Sequence, residues 1–395
     1  MKITPNEELT SHTLQLILQR QDIQPAILQI GMQLIENEIV MWTDEAERRK
    51  ELKAVRKQFR MDNMPEDRLA RTVASIILMQ RAGITDHDTW ALLGAIITTD
   101  TREFTPDDVM NTEYVKQVGF PSAKQGQYEL TQVTHQAYEL FPYDQSGTTF
   151  AHISTPKIGW FNETVREPAI RQNNETWMSI SPSEIITMAS HIRNAHGKVL
   201  TIGCGLGYFA FEAARKPDVE SVTIVELEPD VIKLFTTHIL PKFDPEIRAK
   251  IEIVQAEGVQ YLANLEDGRF DYCLVDIWKN NQDIETYLRC KTRGREFKNT
   301  TVEYWIEEAL CQHIAELATT DYIAQFSEKT APGSVKTSMP EYMLPNLIFT
   351  RRITRKLEIA SKDDIENKLT SKYIRQLLDE SPELQESINR AFGKK

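Results

Sequence analysis

Cysteine is scarce in this 395-residue sequence, which has four, at Cys204, Cys273, Cys290 and Cys311. No two of them form a C-x-x-C pair, and their spacing is unlike that of a disulfide framework. We therefore expect reduced thiols and a cytoplasmic location. The eight histidines are scattered and none stands at metal-ligand spacing, so no metal site is expected.

Long apolar runs and an excess of basic residues are also missing. No stretch approaches the ~20 apolar residues that span a bilayer, and the opening MKITPNEELTSH lacks the apolar core of a signal peptide. The formal net charge of −12 argues against a protein that mainly grips nucleic acid, because such proteins depend on basic patches. The basic run RRITRKLE, from Arg351, is interpreted as a solvated face of a strand or helix. The sequence predicts a soluble protein that does not insert into a membrane and is not expected to bind nucleic acid.

The first part of the chain has the periodicity of helices. Apolar residues recur at spacings of three and four in five segments within residues 10–141. Thr43, before DEAE, fits a helix start, and Gly83, after MQRA, fits a helix stop. We expect a helical domain over residues 1–141, which either covers a ligand site or forms a homodimer.

Residues 142–180 differ in character and predict a small β-rich connector. The segments TTFAHIS, KIGWFNETV and ETWMSI are rich in β-branched and aromatic residues and are separated by Pro, Gly and Asn, which favours a small antiparallel sheet. The following SPSE, residues 181–184, matches a capping box with Pro182 at the first helical position. It predicts the start of the helix SEIITMASHIRNA.

After Lys198, apolar strands alternate with amphipathic helices: VLTIG, FAFEAARK, SVTIVEL, PDVIKLFTTHIL, KIEIVQA, VQYLANL and FDYCLVDIW. This alternation is typical of a parallel sheet covered by helices on both faces. We assign this domain to residues 181–360. Beyond the last of these strands, TVEYWIEEALCQHIAELA predicts a helix, DYIAQFS and PNLIFTRRI predict strands, and residues 361–395 predict a helical tail.

The turn GCGLGY after the first of these strands contains Gly203, Gly205 and Gly207. A dinucleotide-binding turn has a third small residue at the sixth position, where this chain has Tyr208, which argues against NAD and FAD. The G-K-[ST] of a phosphate-binding loop is also absent. Glycines here permit a tight reversal and the close approach of a ligand to the backbone.

Acidic residues follow three successive strands, as Glu226, Glu257 and Asp276. Because ligands of open parallel sheets bind outside the carboxyl ends of the strands, the three side chains should face one crevice. Glu226 can accept hydrogen bonds from both ribose hydroxyls of a nucleoside. Carboxylates without a nearby basic residue repel a pyrophosphate and suit a ligand that carries positive charge.

A glycine turn followed by an acidic strand end resembles the class I S-adenosylmethionine-dependent methyltransferases, over roughly residues 181–326. The resemblance implies an α/β fold with a Rossmann-like sheet, here with a helical N-terminal domain and a small β segment between them. It also implies S-adenosylmethionine as cofactor, with the three glycines along its methionine part and Glu226 at the ribose. Glu257 and Gly258 would border the adenine, and Asp276 would lie near the amino group or the acceptor.

VTIVELEPDVIKL and AEGVQYL are also similar to the spermidine synthase branch of this fold, which transfers an aminopropyl group. That branch has a G-G-G-D-G-G turn and a second aspartate three residues after the one that ends strand four, where this chain has GCGLGY and Lys279. A lysine does not deprotonate an amine as a carboxylate does. Methylation of a small or medium-sized acceptor is therefore the prediction. The alternatives are aminopropyl or aminocarboxypropyl transfer, as in spermidine and nicotianamine synthases, and a non-catalytic nucleoside-binding module.

Candidates for contact with the acceptor follow from position along the chain. Asp276 and Tyr304 are the candidate catalytic residues, and Trp177, Glu184 and Trp278 are the candidate substrate-binding residues. Trp278 either stacks on a flat acceptor or a cation, or packs as a wedge at the sheet edge. Because the sulfonium is already activated, alignment of the acceptor supplies much of the rate acceleration, and the sequence singles out no general base.

Overall fold

The computed structural model describes residues 1–144, 149–330 and 344–392. A two-residue strand, β1 Lys2–Ile3, precedes four helices: α1 Glu7–Glu36, α2 Glu45–Gln58, α3 Glu66–Arg81 and α4 His87–Asp100. The buried side chains of Trp42, Leu69, Leu78 and Trp160 belong to one hydrophobic core. Asp44 caps α2 by accepting a hydrogen bond from the Glu47 amide, so this helix begins one residue after the predicted start.

Beyond residue 100 the expectation of a run of helices up to residue 141 is wrong. This stretch contains β2 Thr101–Phe104, α5 Asp107–Met110, α6 Glu113–Val118, β3 Ala123–Gln125, β4 Tyr128–His135 and the start of β5 Phe141–Asp144. Strand β4 is long because it pairs over its whole length with residues 165–172. That partner lies some forty residues away in sequence, so local periodicity carries no signal of it.

The β-rich region continues through short strands: β6 Thr149–Phe150, β7 Ile153–Ser154, β8 Lys157–Phe161, β9 Val165–Gln172 and β10 Glu175–Ser179. An antiparallel sheet is present, in the order β10-β9-β4-β3, but it is not confined to residues 142–180 as predicted. Its strands β3 and β4 come from the region expected to be helical, and the strands within the predicted segments TTFAHIS and KIGWF lie in other sheets. A second sheet has the order β2-β8-β5, in which β2 and β8 are parallel. The first sheet, through Tyr128 and Gln172, contributes to the cavity described below.

A five-stranded parallel sheet forms the centre of the molecule, as the strand and helix alternation predicts. Its strands are β11 Gly197–Ile202, β12 Val219–Glu226, β13 Ile251–Gln255, β14 Tyr272–Val275 and β15 Thr301–Tyr304. Their order is β13-β12-β11-β14-β15, and all four pairings are parallel. The connections from β11 and from β13 run in opposite directions along the sheet, so a ligand crevice is expected outside the carboxyl end of β11. This is the Rossmann-like fold expected from the sequence.

The helices of this domain are α7 Pro182–Asn194, α8 Tyr208–Ala214, α9 Pro229–Leu234, α10 Pro245–Arg248, α11 Gly258–Ala263 and α12 Ile284–Gly294. A π-helical turn, Phe235–Ile239, and a short 3-10 helix, Leu240–Lys242, follow α9. Ser181 caps α7 by accepting a hydrogen bond from the Glu184 amide, and Pro182 is its first residue, as predicted.

The C-terminal part is mostly helical: α13 Glu307–Thr330, α14 Leu344–Thr354, β16 Glu358–Ile359, α15 Lys362–Lys368, α16 Ser371–Glu380 and α17 Pro382–Phe392. The helical tail is confirmed, but three local predictions are wrong. TVEY is strand β15, DYIAQFS belongs to helix α13, and PNLIFTRRI belongs to helix α14. In α13, Tyr322 and Phe326 stand one helical turn apart and share a core with Leu9 and Leu16 of α1.

Across residues 1–144, 149–330 and 344–392, no helix has both the length and the apolar character that crossing a bilayer requires.

Candidate functional site

A cavity of about 530 Å³ opens at the carboxyl ends of the parallel strands. Its wall includes residues that follow each of β11, β12, β13, β14 and β15. It brings together nine residues singled out in the sequence: Trp177, Glu184, Gly203, Gly205, Glu226, Glu257, Gly258, Asp276 and Trp278. The three acids at successive strand ends therefore do face one crevice.

The glycine turn after β11 is tightly enclosed. Gly203 has a φ of +108°, and a Cβ added there would lie 2.0 Å from the carbonyl oxygen of Asp276. Gly205 has a φ of +50°, and its Cβ would lie 2.3 Å from the sulfur of Met178. Only glycine fits both positions without rearrangement. Gly207 begins α8 with a φ of +74° and packs close to Phe235, so it shapes the turn and is not among the described residues of the cavity wall.

Glu226 connects the end of β12 to the glycine turn. Its Oε2 accepts a hydrogen bond from the Cys204 amide at 3.0 Å, and its Oε1 accepts one from the Glu228 amide at 2.9 Å. These two amide donors fix the orientation of the carboxylate. Each oxygen has a second lone pair, so the side chain can still accept hydrogen bonds from a ligand.

Glu257 and Gly258 occupy the start of α11. The Glu257 carboxylate accepts hydrogen bonds from the Val259 and Gln260 amides, at 3.1 and 2.6 Å, and so caps the helix. A Cβ on Gly258 would lie 2.4 Å from a methyl carbon of Ile202. Glu257 thus has a structural role at the cavity edge, in addition to any role in binding.

Glu184 of α7 is buried and Asp276 after β14 is half-buried; both line the cavity, and their charges interact. Glu184 is 7% exposed. Burial, together with the smaller effect of the charge of Glu226, raises the pKa of Asp276 to about 7. Burial also raises the pKa of Glu184 well above its ordinary value, with the charge of Asp276 as a second cause. A pair of this kind holds a proton near neutral pH and gains from a cation beside it.

Aromatic side chains cover another part of the wall. The rings of Tyr128 and Trp177 lie 5.7 Å apart, and both line the cavity. Trp278 is 4% exposed, and its indole N–H donates to the Trp305 carbonyl oxygen at 3.0 Å. Its ring meets that of Tyr287 edge to face. Trp278 is thus held in the core and also lines the cavity, and its contact with the acceptor stays a prediction.

Tyr304 lies in the core instead of at the cavity, against expectation. It is the buried last residue of β15, and its hydroxyl donates to the Cys290 carbonyl oxygen at 3.3 Å. Burial raises the pKa of this hydroxyl well above its ordinary value. Its position in chain order, soon after Asp276, suggested proximity to the site, but β15 directs this ring into the core shared with Leu310 and Ile314.

Several residues of the wall were missed by the sequence analysis. Tyr128, Gln172 and Met178 come from the antiparallel sheet. Lys279 lies in the segment after β14, and Arg289 lies in α12. The expectation of carboxylates without a nearby basic residue is therefore wrong. Arg289 forms an ion pair with Glu285 at 2.9 Å. In the sequence, Lys279 stood out only because the spermidine synthase branch has an aspartate at this position. That difference was the one sign that a basic residue lies at the cavity.

No cluster of three or more potential metal ligands occurs among residues 1–144, 149–330 and 344–392.

The part of the chain that resembles a known family includes much of the wall of this cavity. The family model described as the spermine/spermidine synthase domain matches residues 179–293, which include the glycine turn, Glu226 and Asp276. Putrescine N-methyltransferase 1 of Nicotiana tabacum is 32% identical over 83 residues, which are 20% of this chain and 21% of that protein. Putrescine N-methyltransferase 1 of Nicotiana attenuata is also 32% identical, over 20% of each chain. The chain thus spans about a fifth of the length of these curated relatives.

Solved structures with some likeness include a spermidine synthase from Thermotoga maritima, with 18% identity and a TM-score of 0.26 over 43% of this chain and 51% of that one. A probable spermidine synthase from Corynebacterium glutamicum has 14% identity and a TM-score of 0.29, over 51% of this chain and 70% of that one. The methyltransferase domain of a bacterial Hen1 has 18% identity and a TM-score of 0.24, over 31% of this chain and 62% of that one.

Proposed function

We propose that this chain, whose residues 179–293 belong to the spermidine synthase-like branch of the class I S-adenosylmethionine-dependent methyltransferase superfamily, methylates a nitrogen atom of a small acceptor. One observation carries the proposal. A single cavity contains both a glycine turn hydrogen-bonded to Glu226 and the acidic pair Glu184 and Asp276. The first feature suits an adenosine derivative, and the second suits a group that gives up a proton.

The cavity fits S-adenosylmethionine in size and chemistry. Its volume of about 530 Å³ lies in the range of small-molecule sites. The crowded glycine turn allows close approach of a ligand to the backbone, and Glu226 offers free lone pairs to ribose hydroxyls. Glu257 and Gly258 would border the adenine. When bound, this cofactor supplies a methyl group on a positively charged sulfur, which three nearby carboxylates favour.

The charges of the wall also support the carboxylated cofactor. Lys279 and Arg289 add positive charge to a cavity that is otherwise acidic. S-adenosylmethionine has a carboxylate on its methionine part, whereas the decarboxylated form used for aminopropyl transfer lacks it. A wall with both signs of charge suits the ligand that has both signs.

Asp276 is the proposed proton acceptor. An amine must be unprotonated to attack, and the most effective general base has a pKa near the working pH. Burial places the pKa of Asp276 at about 7. When the acceptor nitrogen bonds to the methyl carbon, the bond between that carbon and sulfur would break and S-adenosylhomocysteine would leave. The nitrogen gives its proton to Asp276, while Glu184 remains protonated and can orient the acceptor. The similarity to the tobacco putrescine N-methyltransferases supports transfer of a methyl group to an amine nitrogen.

Aminopropyl transfer is the second candidate, favoured by the description of the matching family model. The turn GCGLGY and Lys279 both depart from that branch and count against it. This candidate uses the same cavity but predicts a different leaving product.

Product analysis distinguishes the two candidates. The purified protein is incubated with S-adenosylmethionine or its decarboxylated form, together with a panel of diamines, polyamines and amino acids, and the nucleoside product is identified by mass spectrometry. We expect S-adenosylhomocysteine, in an amount above that formed by the Asp276→Asn variant. Methylthioadenosine would favour aminopropyl transfer. Tight cofactor binding with neither product would favour a non-catalytic module.

A further inference from the structure

Helix α1 presents an apolar face to solvent that no described part of the chain covers. We propose that this face pairs two copies of the protein, antiparallel, around a twofold axis near Pro25. The face consists of seven exposed residues, called here the outer stripe: Leu14, Leu18, Gln21, Pro25, Leu28, Met32 and Ile35. Its leucine, methionine and isoleucine side chains are between 45% and 83% exposed.

The spacing of the outer stripe is that of a helix that packs against another helix. Its members alternate by four and three residues along α1, the heptad pattern that keeps one seam facing a partner helix. The opposite side of α1 is already used. Leu9, Leu16, Ile23 and Ile30 are buried there against the rest of the protein. A helix with apolar residues on two opposite sides is normally covered on both.

Charge on α1 favours a protein partner over a lipid surface. Between Thr10 and Ile35 the only Asp, Glu, Lys or Arg residues are Arg20 and Asp22. Arg20 is buried and donates hydrogen bonds to the carbonyl oxygens of Ala151 and His152. Helices that lie on membranes are rich in Lys and Arg on their polar face, and α1 offers none to solvent.

The spacing of the outer stripe is nearly symmetric about Pro25, so it can pair with the same stripe running in the opposite direction. This is why we propose a second copy of the chain as the partner. With Pro25 at the axis, an antiparallel partner places Leu14 opposite Ile35 and Leu18 opposite Met32. The remaining pair is Gln21 with Leu28. A twofold interface requires a surface that is complementary to itself in this way. With Asp22 as the single exposed charge, self-pairing brings few like charges together.

The size of the contact predicts a weak dimer. The 30 residues of α1 extend over about 45 Å, and a contact strip about 10 Å wide covers roughly 450 Å² on each copy. This is below the ~800 Å² per partner of a standard stable interface. We therefore expect a dissociation constant on the order of 10 µM.

Sedimentation equilibrium of the full chain over about 1 to 100 µM tests the proposal. We expect a monomer at the lowest concentration and mostly dimer at the highest. The double variant L18E/M32E places like charges opposite each other and should raise the dissociation constant about 30-fold or more. The matched control is M110E/F59E, which adds the same charges at exposed apolar residues outside α1 and should leave it unchanged.

Cross-linking tests the orientation, because all four natural cysteines are buried. Protein carrying Leu14→Cys is mixed with protein carrying Ile35→Cys and oxidised. Antiparallel pairing gives the mixed disulfide dimer in excess over both homodimers. A monomer at every concentration, a dimer that survives L18E/M32E, or an excess of homodimers would each overturn the proposal. So would flotation of the monomer with vesicles of phosphatidylcholine and phosphatidylglycerol, which would assign the outer stripe to a lipid surface.

Discussion

The amide of Cys204 donates a hydrogen bond to the carboxylate of Glu226 at 3.0 Å, across 22 positions of the sequence. This contact joins the glycine turn after one central strand to the acidic end of its neighbour. It fixes the two parts of the proposed nucleoside site relative to each other before any ligand arrives. A preorganised site of this kind loses little entropy on binding.

Glu226→Ala should weaken binding of S-adenosylhomocysteine about 10- to 100-fold, because it removes charged hydrogen bonds to the ribose. Isothermal titration calorimetry measures the change. Glu220→Ala is the matched control, since Glu220 is exposed on the same strand and lies at its opposite end. Equal affinities for the Glu226 variant and the wild type would remove Glu226 from the site.

The rate of transfer should rise with pH and level off above about 7, because Asp276 has its pKa at about 7 and accepts a proton only when ionised. Asp276→Asn should lower the rate at pH 8 about 10²- to 10⁴-fold and abolish the inflection. Tyr304→Phe serves as the control and should stay within about twofold of the wild type, because its hydroxyl is bonded inside the core. A wild-type profile that is flat between pH 6 and 8 would contradict this role for Asp276.

Asp276→Asn should also stabilise the fold at high pH. The carboxyl ionises near its ordinary pKa in the unfolded chain but only at about 7 in the folded one, so its stabilising effect is complete below pH 4 and is lost as the pH rises through 7. The gain in unfolding free energy on substitution should be about 1–3 kcal/mol larger at pH 8 than at pH 5. Urea unfolding at the two pH values measures it. A gain that is larger at pH 5 would refute the assignment.

Gly203→Ala should cost more than about 3 kcal/mol of unfolding free energy, because the new methyl group meets the Asp276 carbonyl oxygen in a backbone conformation suited to glycine. Gly83→Ala provides the comparison. Gly83 also has a positive φ, of +68°, but its Cβ would meet nothing within 4 Å, so the substitution should cost only about 1 kcal/mol. Similar losses in the two variants would show that the enclosure of Gly203 does not matter.

The central sheet and the acidic crevice could be predicted because their signals are local. Apolar strands such as VLTIG alternate with amphipathic helices, and the side chains that follow parallel strands share one edge. Glu226 and Asp276 were found in this way. The position of a residue after a strand end determines where it lies, with no need to know the rest of the fold.

The remaining wall of the cavity depends on contacts between distant segments. Tyr128 and Gln172 reach the site on paired strands, β4 and β9, whose register no local pattern reveals. The segment DYIAQFS is rich in strand-forming residues, yet Tyr322 and Phe326 pack at helical spacing against α1. Tertiary packing outweighed local propensity there. Lys279 was noted in the sequence, but only the structure shows that it lies in the cavity wall and adds positive charge there.

Strand β1, Lys2–Ile3, pairs in parallel with β16, Glu358–Ile359, and the side chains of Lys2 and Glu358 meet at 2.9 Å. During synthesis the ribosome must therefore release more than 350 residues before this pairing can form. Strand β1 and helices α1 to α4 are therefore synthesised long before β16, the strand that pairs with β1. We expect nascent chains truncated before β16 to be sensitive to proteolysis near their N-terminal end, and a bulky fusion placed directly before Lys2 to slow maturation.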